Sequence, residues 1–170
     1  MIRRSLLATA LVLAGGAFMA EGAFAQSVDV NFSGTVQGRC SFGNVTNGIL
    51  VTDSPGTPQG AYKLNSFLPG ASAGQVTVNC NQPASLQVSA PIQTAGPTGN
   101  RVGASVSSPY GAVNTGDPVF IPGSSSGPNP LYLNPGSTPL SVNLAVEPSF
   151  NNSYIQPGNY AYKVTLTVAP

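Results

Sequence analysis

Histidine and tryptophan are missing from this sequence, cysteine and methionine occur twice each, and charged residues make up only 6% of it. Without histidine, a serine triad or a thiol–imidazole pair has no proton acceptor. Beyond residue 25 the carboxylates are Asp29, Asp53, Asp117 and Glu147, far apart along the chain. Two of them could converge as in a glycosidase, but each more simply solvates a strand face or a turn. No EF-hand loop, P-loop or dinucleotide fingerprint occurs. The composition therefore points away from an enzyme and implies neither cofactor nor metal. Against the four carboxylates stand Arg39, Lys63, Arg101 and Lys163. That balance leaves no electrostatic footprint for nucleic acid or anionic lipid. It also leaves little repulsion to hold copies apart, which suits an assembling subunit.

Long hydrophobic runs are scarce too. The clearest lies within residues 6–13, after Arg3 and Arg4 and ahead of Ala23-Phe24-Ala25. A basic start, a short apolar stretch and an A-x-A site read as a secretory leader, with cleavage after Ala25. The apolar run falls short of the ~20 residues a spanning helix needs. The expectation is an exported protein of 145 residues, long enough for one domain with a core.

Export carries Cys40 and Cys80 into an oxidising compartment, where one bridge between them is the economical reading. Two free thiols or a metal pair are the alternatives, and no histidine is present to complete a ligand set. Val76, Val78 and Cys80 share one side of an alternating stretch, so Cys80 is expected to point inward, as a bridge to an opposing sheet requires.

What is present is a series of short apolar runs cut by glycine, proline and asparagine. Strands are expected around residues 49–51, 62–64, 75–80 and 86–88, with a turn-rich stretch over 53–58. From Pro91 to Pro139 the chain is rich in Gly, Pro and Ser. Residues 102–106 and 119–121 are plausible strands there, 124–130 a loop, and Leu131-Tyr132-Leu133, flanked by prolines, an edge strand at best. Surface decoration is the expectation for this region. Leu140, Val142, Leu144 and Val146 then alternate, and so do Tyr160, Tyr162, Val164, Leu166 and Val168. No helical period of useful length follows the leader, so the chain reads as an all-β sandwich.

At the other end, Val28, Val30 and Phe32 alternate with Asp29, Asn31 and Ser33, and Gly34 and Val36 keep the parity. A stretch this apolar must dock. Either it is the first strand of its own sheet, or it is a strand lent to a neighbouring molecule.

The Phe32-x-Gly34-x-Val36 run leading to Cys40 resembles the start of a chaperone–usher pilin subunit. The strand 75–80 closed by the second cysteine, and Pro157-Gly158-Asn159-Tyr160 ahead of an alternating strand, are similar as well. The spacing before Cys40 is closest to the archaic, spore coat protein U-type pilins. The resemblance implies an immunoglobulin-like β-sandwich lacking one strand, completed first by a periplasmic chaperone and then by the N-terminal extension of the next subunit. Residues 26–37 would be the donor extension and 38–170 the domain. The donated side chains would be Val28, Val30 and Phe32, with Gly34 as a register notch. Tyr160, Tyr162, Val164, Leu166 and Val168 would wall the acceptor groove. The partners implied are other copies of the chain, the chaperone and an outer-membrane usher, and the destination is a cell-surface fibre. The rival readings are a complete, monomeric adhesin or carbohydrate-binding module, and a coat or matrix protein.

Overall fold

The computed structural model describes residues 27–53, 60–122, 127, 129–149 and 153–170. The leader, Gln26, most of the 53–58 turn and of the 124–130 loop, and Asn151 lie outside them. The chain divides into two units, Met1–Thr35 and Val36–Pro170. In the first, residues 27–35 belong to no strand, and Val28, Val30 and Phe32 are 84%, 68% and 93% exposed. A strand is defined by its ladder, and this segment has none within its own unit.

The second unit is all-β, with no helix among the described residues. Its strands are β1 (Cys40–Thr46), β2 (Val51–Thr52), β3 (Leu64–Asn65), β4 (Gly74–Cys80), β5 (Ala84–Val88), β6 (Ile92–Ala95), β7 (Asn100–Ser108), β8 (Gly111–Gly116), β9 (Leu131–Leu133), β10 (Gly136–Pro148), β11 (Ala161–Lys163) and β12 (Leu166–Ala169). All the strand pairs are antiparallel.

β10 is the spine of the larger sheet. One edge pairs with β4 through residues 136–142 and then with β3 at Ala145 and Val146, while the other edge pairs with β7. β1 lies outside β4, β2 outside β3, and β8 outside β7. A second sheet runs β12–β5–β9, and a two-stranded ribbon pairs β11 with β6. Alternation explains which side chains go inward. Val76, Val78 and Cys80 of β4 are buried, as are Ala84, Leu86 and Val88 of β5, while Asn79 and Gln87 face out. These residues join Val106, Val113, Leu131, Leu133 and Leu140 in one apolar cluster shared by both sheets. Burial of this surface is the main term holding the fold.

Three expectations are corrected. Cys40 and Cys80 are bonded, but they face each other across the β1–β4 pair, with Cα atoms 4.2 Å apart. The bridge joins neighbouring strands of one sheet, not two opposing sheets, because β1 starts opposite the end of β4. The 91–139 region is not surface decoration either. It supplies β6, β7, β8 and β9, and Ala104, Val106 and Val113 are buried to within 1%. Residues 102–106 lie in β7 and residues 131–133 form β9, an edge strand as expected, whereas β6 and β8 were not expected. A Cβ on Gly103 would collide with Val119 and with the Asp117 carbonyl. The 117–119 segment thus lies against β7 at that point. Residues 119–121 form no strand, although Ile121 is buried.

Candidate functional site

The alternating stretch from Tyr160 to Val168 is broken at Val164–Thr165 into β11 and β12. Ser89 bridges the break: its N–H donates to the Thr165 carbonyl at 2.9 Å, and the Thr165 N–H donates to Ser89 Oγ at 2.9 Å. The segment is thereby held along β5 and β6 by one edge. No strand pairs with its other edge among the described residues, and β1 likewise pairs only with β4.

Between these two free edges runs a groove of about 700 Å³. Tyr160, Tyr162, Val164 and Leu166 line one side and Phe42, Val45 and Leu50 the other, with Val76, Val142 and Leu144 from β4 and β10 between them. Val168 does not line it and packs on the main apolar cluster instead. The polar side chains along it are Thr46, Asn47, Ser66, Gln75, Lys163 and Thr165. Ser66 is turned aside, its Oγ donating to Asn143 Oδ1 and accepting from the Leu144 N–H. Such a slot suits an extended apolar segment: side chains bury against the base while main-chain groups meet two unpaired ladders.

Two tyrosines stand side by side on the groove. Tyr160 and Tyr162 stack with ring planes 5° apart, and Tyr160 Oη donates to the Gln156 carbonyl at 2.7 Å. Tyr162 Oη is buried without a partner, and burial, helped by Tyr160, pushes its pKa up to about 12. A neutral hydroxyl withdrawn from water favours keeping its proton.

Asp53 and Asp117 serve nearby backbone, and Glu147 a side chain. Asp53 accepts from the N–H groups of Tyr62 and Lys63, Asp117 accepts from Val102 N–H, and Glu147 pairs with Arg101 at 3.5 Å. The described residues hold no cluster of three or more metal-ligating side chains.

Of the five residues expected to wall a groove, Tyr160, Tyr162, Val164 and Leu166 line one side of it and Val168 does not. The opposite side was missed: a register shift between Phe42 and Val45 breaks the alternation that would have marked β1. Val142 and Leu144 alternate plainly, yet nothing in the pattern separates a groove base from a closed core. Comparisons with protein-family models, with curated proteins and with solved structures find nothing that matches this chain.

Proposed function

We propose that this chain is a structural subunit of a cell-surface fibre that polymerises by lending residues 28–36 to the groove of another copy. The observation that carries the reading is the apolar groove between the free edges of β1 and β11. The lengths agree. Tyr160 to Leu166 spans about 20 Å at ~3.3 Å per residue and offers four inward positions. Val28 to Gly34 has the same length and offers Val28, Val30, Phe32 and the notch Gly34. Burying the three large donor side chains would contribute about 5–8 kcal/mol before ordering costs. The ladders on both sides and slow unfolding would supply the permanence a fibre needs.

On this reading the domain is an immunoglobulin-like sandwich one strand short, in keeping with the resemblance to spore coat protein U-type pilins. Export follows from the leader, and a periplasmic chaperone and an outer-membrane usher from the same resemblance. Strand-exchanged fibres should run as an SDS-resistant ladder that collapses to monomer on boiling. A complete monomeric adhesin would run as monomer under both conditions. Deleting residues 26–36 should leave a subunit that accepts a strand but cannot cap a neighbour. Normal polymerisation of that shortened chain would refute the proposal.

A further inference from the structure

Strand lending between copies has a competitor: the same segment could fill its own groove. β1 borders that groove from Phe42 onward, so a reversal at residues 37–39 would lay the preceding residues alongside it. Three residues suffice for a hairpin connection, and Gly38 is suited to one. Chain length therefore does not prevent self-insertion, and something else must.

That position is held by Asn81. Beyond the Cys40–Cys80 pair, Arg39 N–H donates to Asn81 Oδ1 at 2.7 Å, Asn81 N–H donates to the Arg39 carbonyl at 3.1 Å, and Asn81 Nδ2 donates to the Gln37 carbonyl at 2.9 Å. One asparagine thus extends the β1–β4 ladder past the disulfide and fastens both residues flanking Gly38. The Gln82 side chain fills the space a Cβ on Gly38 would take. A turn at 37–39 would have to break these bonds.

We infer that Asn81 is a positioning residue that bars the chain from inserting its own N-terminal segment, so that the segment is left for a second copy. The inference rests on the strand-lending reading and adds what decides between self and neighbour. Asn81 is exposed, so its substitution leaves the core intact.

The test is amide hydrogen exchange over residues 160–166 in dilute, monomeric full-length protein. It compares Asn81 with N81A, each with and without the paired substitutions V30D and F32D that make the segment unfit for an apolar groove. With Asn81 in place, V30D/F32D should leave exchange unchanged. N81A alone should slow it measurably, by up to about tenfold, the largest change allowed when the inserted-to-open ratio rises by the loss of one or two hydrogen bonds that oppose the turn. The slowing should not depend on protein concentration and should vanish when V30D/F32D is added. N81D, which keeps the acceptor for Arg39 but loses the donor to Gln37, should fall between. Slowed exchange in the parent that V30D/F32D releases would overturn the inference, as would N81A exchanging like the parent. The SDS ladder of the parent protein reports separately on strand lending: its absence would remove that reading, whereas a ladder with unchanged N81A exchange would remove only the role of Asn81.

Discussion

The domain has two apolar clusters built from the same kinds of residue, and they end differently. Around Leu86, Val106, Val113 and Leu140 the centre is sealed, those four at 0% exposure, and only the margin of this cluster reaches half-buried residues, Val142, Val164, Leu166 and Val168 among them. Around Leu64, Leu144, Val146 and Ile155 the cluster continues into Leu50, Tyr160, Tyr162 and Val164, which are only half-buried and, Leu50 among them, look onto the groove. β10 runs through both: Leu140 belongs to the first and Leu144, two pleat repeats further on, to the second. Residue type does not separate them. What separates them is whether a strand lies over the next edge, and for β11 none does among the described residues.

The largest effect should come from the covalent tie beside the closed cluster. Replacing Cys40 and Cys80 together by serine reopens a 40-residue separation and should cost about 4 kcal/mol by restored chain entropy, read from denaturant melts. An unchanged midpoint would count against a stabilising bridge. Next, Leu86→Ala in the sealed cluster should cost about 3 kcal/mol, since the loss of contacts leaves a cavity. Val164→Ala, on the groove, should cost only about 1 kcal/mol in the monomer, where water already reaches the site. The same change should weaken assembled material more than monomer. Equal costs for Leu86 and Val164 in the monomer would erase the contrast between the clusters.

The smallest effect concerns Tyr162. At neutral pH, Tyr162→Phe should shift stability by less than about 1 kcal/mol and in the stabilising direction, because the hydroxyl makes no bond that is lost. At high pH it should matter more. The folded protein keeps the Tyr162 proton up to about pH 12, whereas the unfolded chain gives it up near 10.0. Its contribution to stability is thus whole below pH 10.0 and is lost as pH climbs toward 12. Tyr162→Phe should flatten the alkaline loss of stability measured across that window.

Period-2 alternation made β4, β5, the inner part of β10 and the β11–β12 segment legible in the sequence, because one face of each is apolar and buried or, in β11–β12, half-buried. It failed where burial does not need large side chains. β8 is built from Gly, Ala, Asn and Thr around Val113 and carries no such pattern, whereas residues 102–106, expected as a strand, lie in β7, which forms a hairpin with β8 and pairs with the distant β10. It failed again at β1, where the shift between Phe42 and Val45 puts the apolar positions out of phase. The groove was half legible for the same reason. Its β11 side alternates, its β1 side does not, and a free edge is a property of the whole sheet that no local pattern carries.

The most direct measurement adds a synthetic peptide of residues 27–36 to full-length protein carrying V30D and F32D, whose own segment is unfit to donate. The account predicts a one-to-one complex with a raised melting midpoint and slowed amide exchange over residues 160–166, and no such effect from a peptide bearing the same two aspartates. A wild-type peptide that leaves both midpoint and exchange unchanged, on a protein that is folded, would contradict it.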